Sequence, residues 1–314
     1  MILAGDIGGT HARLALFEPA DCGLSAVVEE TFASREWASF DQVVQEFVGR
    51  HRVTIDAACF GIAGPVRSGR VTTTNLPWVV DARALARELQ LSFVGLLNDL
   101  EANAYGVAAL DAKDIVTLNP GSSNREGNGA IIAAGTGLGE AGLYWDGREH
   151  HPFASEGGHC DFAARSALEV DLLSYLRHEF SHVSYERVLS GAGLHNIYRF
   201  LRDTGHGTEP EWLAQRMAGK DPAPVISEAG LAGTSDLCVR ALDLFVTIYG
   251  AEAGNLVLKL MATGGLYVGG GIAPKIHHKL ADGAFMEAFV DKGDRKSTRL
   301  NSSHIQKSRM PSSA

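Results

Sequence analysis

Residues 2–17 read ILAGDIGGTHARLALF, and residues 130–145 read AIIAAGTGLGEAGLYW. Each stretch opens with an apolar run of strand length and breaks at glycines beside a threonine. Each then resumes with partial apolar alternation, the mark of a second strand. The pattern occurring twice predicts two lobes built on related plans, each presenting a glycine turn. Outward from these stretches, strands alternate with helical spacing, which indicates a mainly α/β architecture. Phe40–Val48 has helical apolar spacing, and residues 57–63 read as a buried strand ending at Gly64-Pro65. Asp81 caps a helix through Leu89, residues 93–97 form a strand, and Asn98-Asp99 opens a helix to Leu110, where the lobe boundary is placed. The second half is more helical, over residues 169–180, 194–202 and 237–261. Residues 266–268 form a strand that runs into Gly269-Gly270-Gly271, and the polar stretch 203–224 reads as a surface excursion.

A chain of 314 residues exceeds what one core usually supports. Its 45% hydrophobic and 21% charged residues are those of an ordinary globular protein. No run approaches the ~20 apolar residues of a membrane helix, and the opening apolar stretch stops at Gly5-Asp6, too early for a signal peptide. Cytoplasm is the expected location. The four cysteines, Cys22, Cys59, Cys160 and Cys238, form no C-x-x-C pair, so neither a zinc knuckle nor a disulfide framework is indicated. A net charge of −9 argues against nucleic acid or anionic membrane as partner. From Arg295 onward the chain carries five basic residues, no acid and no apolar periodicity; the remaining 23 basic and 37 acidic residues give −14. Residues 295–314 are therefore expected to be a non-native disordered tail, with no packed strand or helix from Lys296 to Ala314.

The first turn places Asp6, Ile7, Gly8, Gly9 and Thr10 after a strand. Glycine lets the backbone approach a phosphate and offers its N–H groups. Thr10 adds a hydroxyl, and Asp6 a carboxylate able to hold Mg²⁺ directly or through water. A plain hairpin turn explains the same residues, and no Walker loop occurs. Gly135-Thr136-Gly137 repeats the turn in the second lobe without the spacing or helix of a dinucleotide site. Two such turns could grip one polyphosphate from opposite sides. Gly270 and Gly271 lie at the carboxyl end of a strand, where α/β sheets bind ligands and small residues leave room for adenine, though a tight connection needs the same residues. Asn98 and Asp99 combine an amide that can orient a sugar with a carboxylate that can accept a hydroxyl proton; either could equally be a helix cap. Glu156-Gly157-Gly158-His159 can converge a carboxylate and an imidazole on one polyol. A metal site with Cys160 and Asp161 lacks ligand spacing. Glu186 reads equally as a first-turn helix carboxylate. Thr74-Asn75-Leu76-Pro77-Trp78 offers an amide and an aromatic, with Trp78 more often core.

Taken together, GDIGGTHARLAL, TNLPW, NDLEA, AGTGLG, EGGHCDFA, ERVLSG and GGGIAPK, in this order from Leu3 to about Lys292, resemble the bacterial glucokinase family of the sugar kinase, actin and heat-shock ATPase superfamily. The resemblance implies a two-lobe ribonuclease H-like (actin-like ATPase) fold with an interlobe cleft. It divides the chain into a small lobe at 1–109, a large lobe at 110–294 and the tail. It implies that Gly5 to Thr10 forms the first phosphate loop and Gly135 to Gly139 the second. Asp99 resembles the general base, with Asn98 beside it on the sugar, and Glu156, His159 and Glu186 match the glucose-hydroxyl ligands. The cofactors implied are ATP and Mg²⁺, the substrate D-glucose, and the assembly a homodimer.

The related repressor/open-reading-frame/kinase sugar kinases carry a cysteine-rich zinc motif after the matching histidine. Here His159 is followed by Cys160 alone. The family also continues past FVDKG (289–293) with a further strand and a closing helix, where this chain has its basic segment. Other readings are a kinase for another hexose or phosphate donor, and a nucleotide-gated ATPase that phosphorylates no sugar.

Overall fold

The computed structural model describes residues 1–20, 23–73, 76–110, 112–120, 126–293 and 303–306. Thr74, Asn75 and most of the basic segment lie outside them. The chain divides into two compact units, residues 1–109 and 110–309, each with its own apolar core.

In the first unit, β1 (Ile2–Ile7), β2 (His11–Ala20) and β3 (Gly23–Ala33) form an antiparallel meander; β4 (Ala57–Ile62) and β7 (Val94–Asn98) extend it in parallel, giving the order β3-β2-β1-β4-β7. Helix α1 (Phe40–His51) starts at Ser39, whose Oγ accepts the Gln42 N–H at 3.4 Å, and turns Phe40, Val43, Val44 and Phe47 into the core. It stops at Arg52 in the left-handed region, φ 51°. A small hairpin, β5 (Arg70–Thr72) and β6 (Val79–Asp81), brings Trp78 into that core against Phe40; Trp78 Nε1 donates to the Trp37 carbonyl at 3.0 Å. Trp78 is thus a core residue. Asp81 Oδ1 caps α2 (Ala82–Glu88) at 2.9 Å, and α3 (Asp99–Val107) follows β7 directly.

Gly49 is exposed in the last turn of α1, and a Cβ there would meet nothing within 4 Å. Gly49→Ala removes unfolded-state freedom without strain, so stability should rise by about 0.5–1 kcal/mol. The check is a higher urea midpoint at unchanged slope; a lower midpoint would contradict this placement.

In the second unit, β9 (Gly129–Ala134), β10 (Leu138–Trp145) and β11 (His150–Ser155) repeat the antiparallel meander, and β12 (Gly265–Gly269) joins β9 in parallel. With β8 (Ile115–Asn119) and β13 (Ser303–Gln306) the order is β11-β10-β9-β12-β13-β8. Helices α4 (Ala167–Leu176), α5 (Gly191–Asp203), α6 (Glu211–Met217), α7 (Pro222–Leu231), α8 (Asp236–Leu260), α9 (His277–Leu280) and α10 (Ala284–Val290) surround it. Helix α8 is long and apolar enough to cross a membrane, contrary to the sequence expectation, but 78% of its apolar window is buried inside the protein. Its Phe245 and Tyr249 meet edge to face at 5.9 Å, and Tyr249 Oη accepts the Ala134 N–H at 3.2 Å, tying helix to sheet.

Two expectations need correction. The stretch 203–224 is not only a surface excursion: α6 lies within it, anchored by buried Leu213, and Asp221 caps α7 with a proline in its first turn. Two core contacts one turn apart, Leu213 and Met217, in a polar run give too short a period to be read. Residues 296–314 do contribute a strand: β13 pairs in parallel with β12 and antiparallel with β8. The ladder uses backbone groups, which the polar composition of Ser303–Gln306 does not remove. In strand order β13 stands beside β12 as β7 stands beside β4.

Candidate active site

In the first unit, the parallel strands β1, β4 and β7 deliver their carboxyl ends side by side, with Ile7 opposite Ile62 and Ile62 opposite Asn98. That edge is where α/β sheets present ligand-binding groups. After β1 the chain turns through Gly8, Gly9 and Thr10, and the Gly8 N–H donates to the His11 carbonyl at 2.9 Å. Thr10 is exposed, while the side chain of Ile7 is buried, so Ile7 can offer only its backbone. Gly5 lies inside β1, where a Cβ would fall 2.7 Å from both Leu14 and Phe60; packing accounts for that glycine. The turn has an anchor that sequence reading missed. Ser34, wholly buried, donates from Oγ to the Gly8 carbonyl at 3.0 Å and from N–H to the Thr10 carbonyl at 2.9 Å. No spacing signal links residues 26 apart.

Asp6 stands one residue before the end of β1, opposite Arg13. Burial first, then the charge of Asp99, push its carboxyl up to about 6, while Arg13 pulls the other way. The two aspartates are therefore electrostatic neighbours. Asn98 is a true cap: Oδ1 accepts the Leu100 N–H at 3.0 Å and the Glu101 N–H at 3.4 Å. Its Nδ2 donates to the Gly64 carbonyl at 3.2 Å, fixing β7 to the turn after β4. Asp99 begins α3, with Oδ1 accepting the Leu100 N–H at 2.9 Å. Gly61 lets α3 come this near, since a Cβ there would sit 2.9 Å from Ala102 Cβ.

In the second unit, the Gly135 N–H donates to the Gly137 carbonyl at 2.8 Å, closing the turn through Thr136. The Gly135 carbonyl accepts the Gly191 N–H at 2.9 Å, so this turn abuts the start of α5. Gly270 has φ +82°, and a Cβ there would lie 2.4 Å from the Ala134 carbonyl oxygen. Gly271 follows within 4 Å of where a Gly135 Cβ would be. The second and third glycine clusters thus form one surface.

The segments bearing Glu156, His159 and Glu186 are stitched together. The Phe162 N–H donates to the Val183 carbonyl at 2.9 Å, and the Tyr185 N–H to the Cys160 carbonyl at 3.0 Å. His159 Nε2 lies 3.9 Å from Glu156 Oε2, both side chains exposed. His159 and Glu186 line one pocket of about 290 Å³ with Glu179, Phe180, His182 and Arg187. Glu186, on a 3-10 turn, accepts the Leu138 N–H on Oε2 at 3.1 Å. A Cβ on Gly158 would meet the Leu138 carbonyl oxygen at 2.0 Å. Leu138, first residue after the second glycine turn, therefore touches Glu186 with its N–H side and the Glu156–His159 turn with its carbonyl side. Leu138 was not singled out in the sequence, because a backbone contact leaves no trace in residue type.

The sequence model of the family described as glucokinase matches residues 3–302. A glucokinase of Nostoc sp. is 43% identical over 309 residues, covering 93% of this chain and 90% of its own. This chain belongs to the glucokinase family. A glucokinase crystal structure from an Antarctic psychrotroph superimposes with a TM-score of 0.83 at 30% identity, covering 98% of this chain and 94% of the other. One from Balamuthia mandrillaris in complex with glucose gives 0.79 at 21% identity, over 98% and 89%, a likeness of fold. The fold is that of the actin-like ATPases, as the resemblance implies.

Proposed function

We propose that this glucokinase-family chain transfers the γ-phosphoryl group of ATP to the 6-hydroxyl of D-glucose, feeding glycolysis in the cytoplasm. The observation that carries the reading is Leu138, whose main chain abuts both the second glycine turn and the two segments with Glu156, His159 and Glu186. A polyphosphate loop and a polyol-binding surface built on one residue suit a sugar kinase.

The roles follow from chemistry. Gly9, Thr10, Thr136 and Gly137 offer backbone N–H and hydroxyl donors to the phosphates, while Gly8 and Gly135, whose N–H groups close the two turns, let the backbone come close. Gly270 and Gly271 leave room for the adenosine. Glu156, His159 and Glu186 hold sugar hydroxyls, and Asn98 keeps Asp99 at the end of β7. Asp99 takes the O6 proton as O6 bonds to the γ-phosphorus; the bond from that phosphorus to the bridging oxygen breaks, and ADP leaves. The neighbouring carboxylates of Asp6 and Asp99 are hard oxygen donors of the kind Mg²⁺ accepts, and Asp6 would hold it directly or through water. When bound, Mg²⁺ neutralises charge developing on the phosphates. The protein works without nucleic acid or membrane as partner, in keeping with its net charge of −9, and as the homodimer that the family resemblance implies.

A coupled assay over a hexose panel with ATP, ADP and polyphosphate tests the reading. Turnover of glucose with ATP far above the other pairs supports it; ATP hydrolysis unaffected by any hexose would replace it with a regulatory ATPase. Ser34→Ala removes the anchor under the first turn and should raise the KM for ATP severalfold, with a loss of about 1 kcal/mol in stability. An unchanged KM for ATP would detach the first turn from the nucleotide.

A further inference from the structure

Glu140 has no part in the chemistry above, yet it lies beneath it. It is the third residue of β10, two beyond Leu138, and only 1% exposed. Its Oε1 has no hydrogen-bond partner among the described residues. A Cβ on Gly157 would fall 1.9 Å from Glu140 Oε2, so the carboxyl group presses directly on the Glu156–His159 turn. Ser155, its register partner on β11, holds the same turn by accepting the Gly157 N–H on Oγ at 3.0 Å.

On its other side Glu140 neighbours Glu252 of α8, itself wholly buried. Glu252 accepts Lys259 Nζ at 3.0 Å and Asn255 Nδ2 at 2.8 Å. Asn255 Nδ2 also donates to Tyr185 Oη at 3.1 Å, and its Oδ1 accepts Lys292 Nζ at 2.6 Å. The network thus reaches Gly157, between Glu156 and His159, and Tyr185, beside Glu186. An apolar side chain would fill the place of Glu140 without burying a polar atom lacking a partner. Keeping a carboxyl there points to a job that packing alone does not need.

We propose that Glu140 is a positioning residue for glucose: packed under Gly157 and facing the Glu252–Asn255–Tyr185 network, it sets the place of the Glu156–His159 turn relative to Glu186. This rests on the glucose reading above. Two carboxyl groups so placed retain a proton between them. Burial first, then the charge of Glu252, push Glu140 up to about 8, with Lys259 pulling the other way. Tyr249 and Tyr185, both held above the usual tyrosine range by burial first, add no charge at neutral pH. Lys292, pulled down by burial, sits at the far end of the network. A raised carboxyl loses its proton as pH rises through the folded value, and the new anion repels Glu252 and lifts the turn.

The experiment uses the full chain with Glu140→Gln and Glu140→Leu, measuring kcat and both KM values from pH 6 to pH 9. Wild type should show a glucose KM rising severalfold above pH 8, and E140Q should abolish that rise while matching wild type near pH 6. E140L should raise the glucose KM roughly tenfold, with kcat and the ATP KM within about twofold, the mark of lost ground-state binding. An unchanged glucose KM in E140L, or losses in every parameter that track its thermal stability, overturns the proposal. If E140L does not fold, E140Q decides alone, and persistence of the wild-type rise overturns it. Absence of glucose turnover in wild type would sink the glucose reading separately. Amide hydrogen exchange over 156–160 at pH 7, faster in E140L than in wild type, then still tests the placement of the turn, and equal exchange rejects it.

Discussion

Asp99→Asn should lower kcat for glucose phosphorylation by at least ~10² while leaving the glucose KM within a few-fold, from the usual contribution of a general base. The substitution keeps size and hydrogen-bonding shape at the start of α3, where Asp99 Oδ1 accepts the Leu100 N–H at 2.9 Å. Asparagine is a good acceptor for that N–H, so the helix start survives. What is lost is a charged oxygen able to take the O6 proton, a need that arises only as the oxygen attacks, so kcat falls rather than affinity. The loss also removes repulsion on Asp6, whose carboxyl Asp99 helps to hold up near 6. Steady-state kinetics at saturating ATP check this. Turnover within tenfold of wild type would take the base role from Asp99.

Gly158→Ala should reduce kcat/KM for glucose by at least ~10², because displacing a positioned group by about 1 Å can cost that much. The new methyl would sit 2.0 Å from the Leu138 carbonyl oxygen and 2.9 Å from its carbon. Both atoms are backbone at the start of β10, and neither can swing aside. Either the Glu156–His159 turn lifts, or Leu138 shifts and takes with it the N–H held by Glu186. Both routes disturb the proposed glucose ligands, and the second also disturbs Gly135-Thr136-Gly137. A variant that keeps kcat/KM within twofold would mean that this contact is absent in the working enzyme. Gly49→Ala, the same chemical change in open space, serves as the control.

Much of the fold was legible because local rules and tertiary structure agree. The repeated strand, glycine turn and strand became β1-β2 and β9-β10, and in each sheet the first strand of the meander is extended in parallel by a later one. Asp81 and Asn98 cap helices where their residue type suggests. Contacts between segments distant in sequence were illegible. Ser34 under the first turn, Leu138 at the junction of the second, and Glu140 under Gly157 act through backbone carbonyls or burial, which no motif spacing encodes. β13 was missed for a related reason: a strand held by its backbone ladder need not carry an apolar pattern.

Phosphorus NMR of wild-type protein with equimolar ATP and glucose tests the central claim most directly. The expected result is glucose 6-phosphate and ADP accumulating one for one as the γ-phosphoryl signal disappears. ATP lost to inorganic phosphate with the sugar unmodified, or a phosphoryl group on any other glucose oxygen, would contradict it.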